Sequence, residues 1–486
     1  MKCYTFKRSL WVFSAVLMLL TACSSKTTNT SSNALSSSAE SVIVSESDDT
    51  ISMDNQSTVS AASNAAEVTS SKRAVTSSKK ASTPSKAEVI SSNKAVTSSN
   101  TLDINRKQSI RPGLYLENGV IKLNGEKFYG IGTNYYDLAT RQFYDPLAPT
   151  FEKGVKTVKS YGIPMIRVRL SAWGSEGMSL FWNDRETYWV VMDQAVRLCE
   201  QYEIGIIGTL AWTTNPYMTQ GETNGHFLKN KNSEGYKKML TYMEAVVTRY
   251  RNSPAIWGWE VGNEFNLAVD LDKVQGTNYE LTAALLADFY KDITPRIAKW
   301  DGYGRIITTG NSQNRHAAWN LYHNNNWGND TAEQTAEMMK MYDTPEMGMS
   351  SIHVYNVTQI FGGKTITLSE YLSEMVKICK SMGKPLYIGE YCDDTVNGIT
   401  GAAWTSEVEA QALNRFKQLH NAIIENDVQL SFIWAQNNDK DVYRNPSTYV
   451  QGMLKYAKQA NADMVKSGKQ KVGTYWSKTH NIFYQG

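Results

Sequence analysis

Two hydrophobic periods alternate along the chain after Arg111-Pro112-Gly113. Short apolar runs of strand length occur at Phe128–Asn134, Met165–Leu170, Ile204–Leu210, Ala255–Val261, Arg305–Thr309, Ser350–Tyr355, Pro385–Glu390 and Gln429–Trp434. After each comes a stretch with apolar residues three and four apart, near 148–161, 185–202, 233–250, 278–299, 331–341, 367–381, 405–425 and 447–467. In 233–250, for example, Tyr236, Leu240, Met243, Val246 and Val247 fall on one helical stripe. Asn183-Asp184 stand where the second helix needs capping. A strand followed by a helix, repeated in this way, predicts a parallel sheet. Eight repeats within 111–486 predict an α/β fold, a (β/α)8 barrel with loop insertions. An open doubly wound sheet is the structural alternative. No glycine-rich phosphate loop follows its first strand, which argues against a nucleotide-binding version.

Upstream of this region the pattern vanishes. From Ser24 to Ile110 there is no Phe, Trp or Tyr, and Ser, Thr, Ala and Lys dominate. Such a segment cannot bury enough apolar surface to offset its chain entropy, so a disordered tether is expected. A weak repeat, Ala74-Val75-Thr76-Ser77-Ser78 and Ala95-Val96-Thr97-Ser98-Ser99, fits a linker. At the N-terminus, Lys2, Lys7 and Arg8 precede an apolar run, Leu10–Leu20, too short to span a bilayer as a mature helix. Its end, Leu20-Thr21-Ala22-Cys23, resembles the bacterial lipobox. That resemblance implies cleavage before Cys23, a lipid on Cys23, and an exported protein anchored on the extracytoplasmic side of a membrane. The expected organisation is a lipoprotein signal peptide over 1–22, a lipidated Cys23 and disordered linker over 23–110, and one folded domain over 111–486.

Charge and cysteine content narrow the classes. A net charge of +3 over 486 residues gives no argument for nucleic acid or a polyanionic substrate. With Cys3 in the signal and Cys23 assigned, Cys199, Cys379 and Cys392 remain. They form no disulfide framework; one bridge among them is possible, and spacing does not choose it. The 6 histidines show no metal-ligand spacing, so no metal centre is expected.

The candidate chemistry lies at the strand ends. Residues 256 to 266 read I-W-G-W-E-V-G-N-E-F-N, an apolar strand ending on Asn263-Glu264. A second carboxylate, Glu390, ends the strand in K-P-L-Y-I-G-E-Y. Two such glutamates suit glycosidic cleavage, one donating a proton to the leaving oxygen and the other attacking. In a barrel, Asn134, Arg167, Arg169, Glu264, His353, Tyr355, Glu390 and Trp434 all fall at or near the C-terminal strand ends, where barrel sites are built. Arg167 and Tyr355 are suitable partners for an ionised Glu390. Trp257 and Trp259 are expected to supply an apolar setting for the acid, and Trp434 a face for a sugar ring. Glu260 reads as a buried structural carboxylate, Asp393-Asp394 as a solvent feature, and Cys392 as wall material.

W-E-V-G-N-E-F, with I-H-V-Y and P-L-Y-I-G-E-Y downstream, resembles glycoside hydrolase family 5, the cellulase and β-mannanase family of the larger (β/α)8 retaining clan. The resemblance runs from about Gly113 to the C-terminus. It implies that Glu264 is the acid/base, Glu390 the nucleophile, and Asn263 a hydrogen-bond partner of the sugar 2-hydroxyl. It extends to Arg167 in G-I-P-M-I-R, His353, Tyr355 and Trp434. Phe265 departs from the proline that commonly follows Asn-Glu. The third strand end, G-T-L-A-W-T-T, lacks the histidine of many cellulases, so Trp212 or Asn215 is expected there. The implied protein is a surface-anchored, monomeric retaining β-glycoside hydrolase without a cofactor. Its substrate would be β-1,4-mannan or a β-glucan, through mannan endo-1,4-β-mannosidase-like or cellulase-like action. A non-catalytic carbohydrate-binding lipoprotein and a transglycosylase are the alternatives. Loops 212–231, 262–277 and 311–330 exceed ordinary connections and are expected to shape the cleft.

Overall fold

The computed structural model describes residues 112–139, 150–171, 175–218, 224–271, 281–396, 399, 401–436 and 447–471. The expected signal peptide, Cys23 and the linker lie outside the described residues. The strands β1 (Gly130–Asn134), β2 (Met165–Arg169), β3 (Gly205–Ala211), β4 (Ile256–Gly262), β5 (Ile306–Thr308), β6 (Ser350–Val354), β7 (Leu386–Tyr391) and β8 (Leu430–Ile433) form one 8-stranded sheet. All of its neighbours pair in parallel, in the order β5-β4-β3-β2-β1-β8-β7-β6. The helices α1 (Thr150–Ser160), α2 (Arg185–Tyr202), α3 (Glu234–Tyr250), α4 (Ala283–Asp301), α5 (Ala332–Met341), α6 (Leu368–Ser381), α7 (Ser406–Glu425) and α8 (Ser447–Lys466) follow the strands one by one. The edge strands β5 and β6 meet at a seam, where the Gly348 N–H donates to Ile307 O at 2.9 Å. The sheet is therefore a nearly closed barrel, as the alternating periods predict.

Local chemistry sets the element ends. The Asp184 carboxylate accepts from Thr187 N at the start of α2, and Ser233 caps α3 through Tyr236 N. Thr331 with Gln334 and Thr367 with Glu370 form capping boxes on α5 and α6. The predicted helix from 278 starts later, at Ala283, because the Thr282 side chain accepts from Leu285 N. The first barrel strand starts at Gly130 rather than Phe128, whose N–H donates to Ile121 O in a separate three-stranded antiparallel sheet. That sheet (Leu114–Glu117, Val120–Leu123, Glu126–Lys127), a hairpin (Thr358–Phe361 with Lys364–Thr367) and short helices at Ser175–Asn183, Asn224–Lys229 and Ala318–Asn324 were not predicted. Elements this short carry too few residues to show a period.

The antiparallel sheet plugs the barrel. Its Leu114, Ile121 and Leu123, with Phe128, join Met165, Ile207, Trp257, Ile306, Tyr387, Leu430 and Phe432 in one buried cluster. Phe128 meets Trp257 edge to face at 5.3 Å. A Cβ at Gly205 would come within 2.1 Å of the Trp257 ring, so only glycine makes room for it. Cys199, Cys379 and Cys392 are buried free thiols. We expect Phe128→Ala to cost about 3–5 kcal/mol by opening a cavity beside Trp257. An unchanged guanidinium unfolding midpoint would contradict the plug.

Candidate active site

Two backbone irregularities aim the acidic side chains. Along β7 the pairing with β6 shifts between Ile388 and Glu390, so Gly389 is an extra residue. A Cβ at Gly389 would come within 2.6 Å of His353 Nε2; glycine there lets the imidazole lie against the strand. At the end of β4, Glu264 takes a left-handed conformation, φ 52°, and its N–H donates to Gly310 O at 2.9 Å. Gly310 itself has φ +74°, and a Cβ there would come within 2.0 Å of Gly262 O. The chain after β5 can approach the end of β4 this closely only because Gly310 carries no side chain.

Arg167 is the hub between these carboxylates. It has no exposed surface. Its Nε donates to Glu260 Oε1 at 2.8 Å, its NH1 to Glu390 Oε1 at 2.5 Å and to Asn134 Oδ1 at 3.0 Å, and its NH2 to Asn263 Oδ1 at 2.7 Å. Glu260 also accepts from Thr209 Oγ1 at 2.6 Å, which makes it the structural carboxylate expected from sequence. Asn134 Nδ2 donates to Gly389 O at 2.9 Å and so ties β1 to the bulge. The Tyr355 hydroxyl donates to Glu390 Oε2. His353 Nδ1 lies 2.8 Å from Glu264 Oε1 and 3.6 Å from Glu390 Oε2. One oxygen of each glutamate and a His353 nitrogen lie within 4.8 Å of one another. The Glu390 side chain is 4% exposed and that of Glu264 25%, so Glu264 faces the mouth.

The protonation pattern follows from these partners. Burial raises the Glu264 carboxyl above the ordinary carboxylate range, against the opposing pull of Ser312 and Arg167. Burial raises Glu390 as well, opposed by His353, Arg167 and Tyr355. Two carboxylates this close do not both ionise readily. Glu390 holds a guanidinium N–H and a phenol, whereas Glu264 meets an imidazole that burial pushes down to about 4, hence neutral near pH 7. These partners favour the charged form of Glu390 more than that of Glu264. Glu264, His353 and Glu390 also offer a donor set that can hold a cation. The adjacent Arg167 charge disfavours one.

A stacked aromatic wall adjoins Arg167. Trp434 stacks on Tyr136 at 5.1 Å and on Trp212 at 6.2 Å, and the Arg167 guanidinium lies 4.8 Å over Trp212. The Trp434–Ala435 peptide is cis. Tyr136 was not predicted, although the aromatic pair after Asn134 was a readable signal. Asn266 was missed too: it accepts from Ser312 N at 3.0 Å and donates to Ser312 O at 2.9 Å, fixing the turn after Glu264. Asn134, Arg167, Asn263, Glu264, His353, Tyr355, Glu390, Trp212 and Trp434 all converge, whereas Asn215 is exposed.

Two expectations change. Trp257 and Trp259 do not line the mouth. Pairing with β3 shifts between Ile206 and Ile207, which turns Trp257 into the plug, and Trp259 points outward to donate to Asp301 Oδ1 at 2.8 Å. Asp393 is no solvent feature: it is buried and accepts from Arg415 Nε at 2.7 Å. Phe265 lies over Gly262, where a Cβ would come within 2.6 Å of its ring, and 6.3 Å from Phe289 of α4.

A (β/α)8 barrel with two buried-edge glutamates at its C-terminal mouth defines the class of protein. The family model described as cellulase (glycosyl hydrolase family 5) matches residues 124–441, well over half of the chain, and the chain belongs to that family. A probable mannan endo-1,4-beta-mannosidase F of Aspergillus flavus is 29% identical over 174 residues, 35% of this chain and 32% of that protein. The mannan endo-1,4-beta-mannosidase F of Aspergillus fumigatus is 29% identical over 168 residues, 33% of each chain. The match thus spans about a third of the length of these curated relatives. The solved endo-1,4-beta-mannanase of Rhizomucor miehei aligns with a TM-score of 0.51 at 16% identity, covering 72% of this chain and 99% of that one, which shows the shared fold.

Arg167→Met should destabilise the fold by about 3–5 kcal/mol, because Glu260 and Glu390 lose their buried counter-charge. Carbon-13 NMR of the glutamate carboxyls should show Glu390 titrating higher than in the wild type. Burial pushes His353 and His420 each down to about 4. The unfolded chain binds these protons first, near pH 6.5. Stability is therefore full above about pH 6.5 and falls as pH drops toward 4. His420→Gln should flatten part of that fall in pH-dependent urea unfolding.

Proposed function

We propose that this chain is a retaining β-glycosidase that cleaves β-1,4-linked mannan and is exported and membrane-anchored through a lipid at Cys23. The observation that carries the reading is the glutamate pair. One oxygen of each lies within 4.8 Å, close to the roughly 5–5.5 Å separation of double-displacement enzymes. The two also differ in the required sense. Glu264 is the more open and is assigned the proton; Glu390 is sunk among Arg167 and Tyr355.

Glu264 donates its proton to the glycosidic oxygen as a Glu390 oxygen attacks the anomeric carbon. The carbon–oxygen bond to the leaving sugar breaks and a glycosyl ester on Glu390 forms. Glu264, now ionised, takes a proton from water, whose oxygen displaces Glu390 and regenerates the site. Asn263, with its Oδ1 held by Arg167, keeps its amide nitrogen for the sugar 2-hydroxyl. Trp434, with Tyr136 and Trp212 behind it, offers a flat face to the ring on the cleaved side. Support for mannan over glucan comes from the two Aspergillus mannosidases. Retention of both glutamates speaks against a purely binding role. Support for the anchor is Leu20-Thr21-Ala22-Cys23 behind an apolar run.

Glu264→Gln and Glu390→Gln should each lower mannan turnover by at least about a hundredfold with little change in Tm. Wild-type activity in either variant would refute the assignment. Activity should rise with pH as Glu390 loses its proton and fall as Glu264 loses its own, giving a bell-shaped profile with Glu264 on the basic limb. Proton NMR of the first product should show the β-anomer. A panel of mannan, cellulose derivatives, β-1,3- and mixed-linkage glucans and xylan tests the substrate. Membrane fractionation of Cys23→Ser, expected to release the chain, tests the anchor.

A further inference from the structure

Beyond the catalytic centre, the segment joining β5 to α5 carries an exposed tryptophan on a fixed support. The run Asn324-Asn325-Asn326-Trp327-Gly328-Asn329-Asp330 closes back on the short helix Ala318–Asn324. Asp330 is buried, and its carboxylate accepts from Trp319 N at 2.8 Å and Asn320 N at 3.0 Å. Its own N–H donates to His316 O at 2.7 Å. Asn326 Oδ1 accepts from Gly328 N at 2.8 Å. Trp327 stands on this closed loop 38% exposed, its ring 6.2 Å from the His316 imidazole. The neighbouring asparagines are exposed as well. A flat apolar face ringed by amide donors and acceptors matches a sugar ring, whose C–H face stacks while its hydroxyls hydrogen-bond.

The position relative to the cleaved bond follows from the barrel. The wall of Tyr136, Trp212 and Trp434 stands at the ends of β1, β3 and β8. On the reading that Glu264 protonates the glycosidic oxygen from the end of β4, the leaving sugars are assigned to the β4, β5 and β6 side, away from that aromatic wall. The Trp327 loop lies on that side. Arg315, next to His316, donates to Leu267 O in the turn after Glu264, and Gln313 Nε2 donates to Gln359 Oε1 of the β6 hairpin at 2.9 Å. Ile360, 43% exposed, extends the rim on that hairpin.

We propose that Trp327 is a stacking platform for a leaving-side sugar distal to Glu264, so that the site grips a polymer chain beyond the bond it cuts. This rests on the glycosidase reading above. The test compares wild type, Trp327→Ala and Trp327→Phe on mannohexaose and on an aryl β-mannobioside, whose leaving group is one aromatic ring. Trp327→Ala should lose about tenfold in kcat/KM on the hexaose and keep wild-type activity on the aryl glycoside, while Trp327→Phe retains most of both. Equal effects on the two substrates, or none on either, would overturn the platform. A wild type inactive on every substrate would overturn the glycosidase reading instead. A separate arm then addresses the platform: affinity electrophoresis in galactomannan and hydroxyethylcellulose gels. Retardation of the wild type that Trp327→Ala loses supports the platform, and identical mobility in every gel rejects it.

Discussion

Arg167 carries a full positive charge at the end of β2 with no exposed surface, and its guanidinium reaches residues from β1, β4 and β7 at once. Burying such a charge is unfavourable unless every N–H and every counter-charge is matched. Glu260 supplies a charge with no visible part in the chemistry, and Thr209 holds that carboxylate in place. Glu390, the carboxylate proposed as the nucleophile, supplies the second. The requirement to satisfy one buried cation thus favours the charged form of Glu390 and fixes the orientation of Asn134 and Asn263.

Close approach is the second constraint. Gly389 and Gly310 sit where a single methyl group would collide with His353 or with the end of β4. These two positions allow the bulge that turns Glu390 inward and the left-handed turn that turns Glu264 toward it. A left-handed glutamate stores about 1–3 kcal/mol of backbone strain. The Asn266–Ser312 hydrogen bonds and the Glu264 N–H to Gly310 O bond hold it there.

The barrel's two ends divide the work. Its lower half is closed by a plug of apolar side chains around Trp257. Its upper end combines buried charge, a neutral histidine and a stacked aromatic wall. The rigid lower half lets the upper end keep groups that would be unfavourable in an ordinary core. The insertion after β5 builds outward from this rim and carries the exposed Trp327.

The pattern of apolar and polar residues sets the alternation of strands and helices, and with it the barrel and the strand ends where Asn134, Arg167, Glu264, His353, Glu390 and Trp434 stand. Those features are local: an apolar run of fixed length and a polar residue that ends it. The direction in which strand residues face was a different matter. Period-two parity fails wherever a bulge adds a residue, and bulges occur in both β4 and β7. Trp257 and Trp259, adjacent to the site in sequence, therefore went to the plug and to α4. Tyr136 joined the wall, and Asp393 went to Arg415 rather than to solvent. Only the assembled barrel decided these, because each depends on a partner far away in the chain and on the register that brings it near.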